Sequence, residues 1–186
     1  MKPALRLLKV TANPLTIMKN NLRDLYLQQL QQLLSSESQA IDYLRAASMK
    51  ATDQDLKEAL SEHLQETKTQ QAKLQQLLVG HPSVSSTDYS CEATRGLLKE
   101  AQCALTEKGE AMVLDAQLIV ASRGLESYEV TAYTSAISMA EALNEKADAK
   151  VLHSILKEEQ AAAEKLEHLL NGGFFSAGLA ERIIEQ

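Results

Sequence analysis

Residues 118–137 read LIVASRGLESYEVTAYTSAI. At alternating spacings of three and four, Leu118, Ser122, Leu125, Glu129, Ala132 and Ala136 fall on one stripe, with Ile119, Glu126, Tyr133 and Ile137 on the row beside it. This is the period of a helix that packs one side into a core. Two glutamates interrupt that side at its middle, and burying a carboxylate without a partner is costly. Whatever this helix packs against must therefore answer them.

The same pattern recurs in both directions along the chain. The helix of residues 118–137 extends from about 109 to 143, and Asn144-Glu145 marks a tight connection into another helix at about 146–170, closed by Asn171-Gly172-Gly173. That helix carries Leu152, Ile155, Glu159, Ala162, Leu166 and Leu169 on its stripe. Upstream, no Gly or Pro occurs from Leu15 to Val79, and Lys50-Ala51-Thr52-Asp53 divides this stretch with a capping signal. Helices at about 17–49 and 53–78 result. Their stripes are Leu30, Leu33, Glu37, Ala40, Leu44, Ala47, and Leu56, Leu60, His63, Thr67, Gln70, Leu74, with Glu66 at the edge one turn from His63. Gly80-His81-Pro82-Ser83 stops the second helix, and a Ser-rich loop leads to a short amphipathic segment, CEATRGLLKEAQCAL at 91–105. Hairpin, long crossover, hairpin predicts an all-α, ferritin-like four-helix bundle whose crossover contains a short helix. Residues 1–14 form an N-terminal extension and 15–170 the bundle. Residues 171–186 form a tail with a possible short helix, a lid on the bundle end or a dimer contact through Phe174-Phe175.

The glutamates agree in depth. Glu37 and Glu66 lie equally far on either side of the Ala51-Thr52 break, and Glu126 and Glu129 mirror Glu159 about Asn144. Each stands about 15 residues, or roughly 22 Å at 1.5 Å per residue, from its own turn. Glutamates from four helices thus reach one mid-bundle layer, where they cannot all ionise without a compensating charge. Oxygen ligands with one imidazole, His63, suit two cations sharing carboxylates, with iron or manganese favoured over zinc. Tyr133, one turn beyond Glu129, is expected to set its hydroxyl on a carboxylate, and Thr67 and Gln70 to hydrogen-bond behind the ligands. Cys91 and Cys103 read as ordinary thiols, and His81, His153 and His168 as exposed.

Of the 186 residues, 45% are hydrophobic and 24% charged, with a formal net charge of −6. An acidic chain without a basic block argues against nucleic acid or an anionic membrane surface as partner. Two cysteines make neither a disulfide framework nor a structural zinc signature, which suits a reducing cytoplasm. No apolar run has the length of a membrane span, and Lys2, Arg6 and Lys9 interrupt any signal-like start.

These residues resemble the YciE/YciF family of ferritin-like proteins, usually described as stress-associated. Its H-L-x-E-T-x-x-Q pattern stands intact as His63-Leu64-Gln65-Glu66-Thr67-Lys68-Thr69-Gln70, and its E-x-Y-E-x-x-x-Y as Glu126-Ser127-Tyr128-Glu129 through Tyr133. Its Y-x-A-E-K-Q keeps only Glu37 and Gln39 within Leu34-Ser35-Ser36-Glu37-Ser38-Gln39, and its E-E-K appears as Glu158-Glu159-Gln160. The resemblance implies that Glu37, Glu66, Glu126, Glu129 and Glu159 hold two metal ions, with iron expected and a reaction with oxygen or peroxide under stress. Gln65, Lys68 and Ala163 stand where some members carry further ligand-type residues. A degenerate metal site in a non-catalytic helical interaction protein is therefore the alternative. A homodimer in the cytoplasm completes the expectation.

Overall fold

The structure, a computed structural model, describes residues 21–81, 89–173 and 176–184. Its long helices are α1 (Leu22–Lys50), α2 (Gln54–Val79), α4 (Ala111–Ala142) and α5 (Lys146–Asn171), with α3 (Glu92–Thr106) in the crossover and α6 (Leu179–Ile184) at the end. Most boundaries fall within about two residues of those expected from the periodicity, but the first helix, expected from about 17, begins at Leu22 behind an extended Asn21. The extension at 1–14 and the pair Phe174-Phe175 lie outside the described residues.

Local chemistry sets the ends. Asn21 Oδ1 accepts the Asp24 N–H at 3.0 Å and caps α1. Asp53, rather than Thr52, caps α2, its Oδ1 accepting the N–H groups of Asp55 and Leu56, each at 3.1 Å. Thr52 is drawn away to Asp115 of α4, whose carboxylate accepts Thr52 N–H at 2.9 Å, Thr52 Oγ1–H at 2.6 Å and Asp53 N–H at 2.7 Å. The α4–α5 turn passes through Asn144 at φ 60°, a left-handed conformation that Asn tolerates better than most residues. Gly172, at φ 79°, ends α5 and opens a two-residue antiparallel ladder, β1 (Gly172–Gly173) with β2 (Ser176–Ala177).

Each hairpin, α1–α2 and α4–α5, packs side by side; α1 also packs on α4, and α2 on α5. The α1–α2 turn is at one end of the bundle and the α4–α5 turn at the other. The crossover therefore travels the bundle's length, and α3 lies along α1 and α4 on the way. The core forms two apolar clusters. One gathers Leu44, Ala47, Leu56, Leu60, Leu118 and Leu125 with Leu179 of α6 packed against it. The other gathers Tyr26, Leu30, Leu33, Leu74, Ala136 and Ile155. Between them lies a polar slab, because every long helix changes from apolar to polar at the same height. No helix among the described residues is long and apolar enough to cross a membrane.

Candidate metal centre

Glu37 of α1 sits between Leu33 and Ala40, Glu126 and Glu129 of α4 between Leu125 and Ala132, and Glu159 of α5 between Ile155 and Leu166. None of the four glutamates is more than 1% exposed. His63 of α2 enters the same slab at 5% exposure. Helical periodicity puts each side chain on the core face, and neighbouring apolar residues shield the four glutamates from water.

His63 is the hub. Its Nε2 lies 3.0 Å from Glu126 Oε1 and 3.8 Å from Glu159 Oε2, and its Nδ1 lies 3.6 Å from Glu66 Oε2. One ligand atom from each of His63, Glu126 and Glu159 can be chosen so that all three lie within 4.8 Å of one another. Tyr133 donates its hydroxyl to Glu37 Oε1. Ser36 donates to Glu129 Oε1 at 2.8 Å and is itself 2.7 Å from Thr94 Oγ1 of α3. Glu66 stands apart from the slab, its side chain 49% exposed at the bundle surface.

Burial pushes Glu37 up to about 8, although the Tyr133 hydroxyl and the His63 charge pull the other way. Glu129 and Glu159 are held well above the usual carboxylate range by burial and by the like charges of the other layer glutamates. For His63, burial lowers the pKa, but the charge and hydrogen bond of Glu126 outweigh it and hold the imidazole well above its ordinary value. Glu66, bonded to His63 and near solvent, is lowered. Without a cation the layer thus retains protons.

Four carboxylate oxygens in the slab have no hydrogen-bond partner, Glu37 Oε2, Glu126 Oε2 and both oxygens of Glu159, while His63 Nδ1, on the far side of the ring, has only the Glu66 carboxylate at 3.6 Å. Orphaned acceptors at this depth are rare in folded proteins, and each costs on the order of 1–3 kcal/mol. These oxygens, with the His63 Nε2 that faces Glu126 and Glu159, form a donor set that fits hard or borderline divalent cations. The residues present therefore fit the metal that the fold implies.

The hydrogen-bonding residues behind the carboxylates differ from those expected. Thr67 turns its hydroxyl to the His63 carbonyl at 2.8 Å, the neighbouring turn of its own helix. Gln70 donates to Glu158 at 3.1 Å, outside the layer. Ser36 takes that place instead, with Thr94 behind it. A serine beside Glu37 is a weak sign, and no local pattern could reveal a threonine delivered by the crossover. His81 is also not exposed as expected: its Nε2 is 2.8 Å from Asp148, which accepts the Tyr26 hydroxyl at 2.8 Å as well. His153 and His168 are exposed.

Over residues 21–177 the chain matches a family described as a domain of unknown function, DUF892. The chain belongs to the DUF892 family. YciF of Escherichia coli strain K12 is 31% identical over 150 residues, which cover 80% of this chain and 89% of YciF. Superposed on the crystal structure of YciF, described as a stress protein, the chain gives a TM-score of 0.79 at 26% identity, covering 90% of this chain and 100% of the other. The two identities differ because structural superposition pairs more residues than sequence alignment does. YcfI of Rhodopseudomonas palustris superposes with a TM-score of 0.76 at 31% identity, over 82% of this chain and 96% of YcfI. A protein of Xanthomonas campestris shares the fold at a TM-score of 0.62 and 20% identity, over 88% of this chain and 94% of the other. The ferritin-like four-helix bundle and the YciE/YciF resemblance both stand on these matches. In this DUF892 member, the intact motifs at 63–70 and 126–133 lie on α2 and α4 and bring His63, Glu126, Glu129 and Tyr133 to the slab.

Proposed function

We propose that this DUF892 protein binds two metal ions, iron or manganese, in its carboxylate layer and serves as a stress-associated metal centre. The observation that carries this is the set of orphaned buried oxygens and one imidazole nitrogen brought together from four helices. His63, Glu126 and Glu159 would hold one ion, Glu37 and Glu129 would contribute to the second, and Glu66 would join from the outer side. Bound iron would supply one-electron chemistry toward oxygen or peroxide.

The protein's own groups define what that centre does. Tyr133 and Ser36 fix the carboxylates of Glu37 and Glu129, so that binding does not first have to order them. The two apolar clusters exclude bulk water from the layer and strengthen every charge interaction within it. Glu159, held above the usual carboxylate range, would release its retained proton on binding a cation. Free Cys91 and Cys103 suit a reducing cytoplasm. Exposed Val113 and Val120, seven residues apart on the outer side of α4, support a homodimer, which light scattering at micromolar concentration would detect as twice the chain mass.

Elemental analysis of protein purified without chelator tests the metal reading. About two iron or manganese ions per chain are expected, falling in a Glu126→Gln, Glu159→Gln double variant. Metal-free wild type that stays metal-free on anaerobic titration would leave the alternative of a helical interaction protein. Gln65, Lys68 and Ala163, at positions where some relatives offer ligands, favour that second reading.

A further inference from the structure

The four seams between neighbouring long helices are not closed alike. The α1–α2 and α4–α5 seams are the tightly packed hairpins, and α3 covers the α1–α4 seam with Thr94, Ala101 and Ala104, each at most 3% exposed. The α2–α5 seam has no covering helix among the described residues. There the helices meet through small side chains, including Ala59 and Ala162, and a cavity of about 90 Å³ opens between them. It has room for several waters.

Chemistry is concentrated at this opening. Glu62 and Glu66 stand at the mouth beside Lys165, whose Nζ lies 2.5 Å from Glu62 Oε2. His63 lines the inner side. Its ring separates the cavity from the layer: Nδ1 is directed to the Glu66 side without a hydrogen-bond partner, and Nε2 to Glu126 and Glu159. On this side of the buried ring, Nδ1 meets only the Glu66 carboxylate, at 3.6 Å and so beyond hydrogen-bond length, at the inner end of the cavity.

We propose that the α2–α5 cavity is the port by which a divalent cation reaches the carboxylate layer. Glu62 and Glu66 are its acidic mouth, Lys165 the pin that holds it shut, and the His63 ring the partition between mouth and layer. This rests on the metal-centre reading given above. The Lys165 and Glu62 side chains are 48% and 66% exposed. Exposed pairs of this kind hold weakly, so the pin opens readily. While closed, its ammonium repels an approaching cation and occupies one of the two carboxylates that would attract it. When open, both carboxylates face solvent and Glu66 can deliver the ion to Nδ1.

The test is stopped-flow uptake of Co²⁺ by the metal-free full chain, followed by cobalt absorbance, alongside equilibrium titration of final stoichiometry. Lys165→Gln removes the pin and should load roughly tenfold faster, the scale of local charge steering. Ala162→Leu narrows the seam and should load several-fold slower, and both variants should reach the wild-type cobalt content. Lys165→Gln loading at the wild-type rate would overturn the port while leaving the metal centre standing. Wild type that takes up no cobalt would overturn the metal centre and the port with it. Lys165→Gln alters only a surface side chain, so it decides the question even where Ala162→Leu fails to fold.

Discussion

Glu129 shows most sharply what a carboxylate costs and supplies in this position. It is buried beside Glu126 and Glu37, accepts a hydrogen bond from Ser36, and is held well above the ordinary carboxylate range by burial and like charge. Glutamine keeps its shape and cannot ionise. Glu129→Gln should therefore raise the melting temperature of the metal-free protein, by an amount that grows with pH as wild type is forced to ionise the acid. With ferrous iron under anaerobic conditions the ranking should reverse. The metal-dependent gain of wild type follows RT ln(1 + [L]/Kd), about 2.7 kcal/mol at a hundredfold excess over Kd, and the variant should lose much of it. Melting curves of both proteins, with chelator and with iron, check this. An undiminished iron shift in Glu129→Gln would remove it from the ligand set.

Between elements, two polar staples hold the bundle in the geometry that the layer needs. Asp115 of α4 is 1% exposed and accepts all three hydrogen bonds from the α1–α2 turn. Asp115→Ala would take the acceptor from the backbone N–H groups of exposed Thr52 and half-buried Asp53, and hydrogen bonds to a charged acceptor are worth about 1.5–3 kcal/mol each. A loss of about 2–4 kcal/mol in urea unfolding is expected. The other staple is Thr94, fully buried, which joins α3 to Ser36 and to Cys91 Sγ at 3.4 Å. Cys91 in turn lies 3.0 Å from the Tyr128 hydroxyl, and its N–H donates to Ser35 Oγ at 2.8 Å. Thr94→Val keeps the volume but breaks the chain of hydroxyls leading to Glu129, and should cost about 1–2 kcal/mol in the same measurement. A change below about 0.3 kcal/mol would mean that α3 is held by its apolar contacts alone.

At the scale of the molecule, the retained protons become a pH dependence. Glu37 titrates near 8 in the folded metal-free protein against an ordinary 4.5. Between those values the folded state holds a proton that the unfolded chain has released, so stability falls as pH rises. The contribution is fully present below about 4.5 and lost through about 8, at about 1.4 kcal/mol per pH unit for each such proton. Glu129, Glu159 and His63 are also raised and act in the same direction. The metal-free protein should melt several degrees lower at pH 8.5 than at pH 6. Metal binding expels those protons, so the iron-dependent shift should grow over the same interval. Differential scanning calorimetry at the two pH values, with chelator and with iron, checks both signs. A metal-free protein that is equally stable at pH 6 and 8.5 would mean that the layer is open to water.

Periodicity and helix rise follow from covalent geometry, so the positions of Glu37, Glu126, Glu129 and Glu159 on core stripes, and their common depth, were legible from residue numbers alone. The stripe residues are buried along most of their length; Ala162 and Leu169 of α5 are the partial exceptions, and Ala162 is where the α2–α5 seam opens. What periodicity cannot supply is the rotation of a residue at the stripe's edge, because a few tens of degrees about the axis move such a side chain from layer to solvent. Glu66 and His63, one turn apart on α2, separate in that way into mouth and hub. Partners brought from distant segments were equally hidden: Ser36 with Thr94, Thr52 with Asp115, and His81 with Asp148 join residues between 58 and 67 positions apart. Their pairing depends on how the crossover runs and how the hairpins are set against each other. That choice is made by packing the two apolar clusters together, a condition on the whole chain that no local stretch contains.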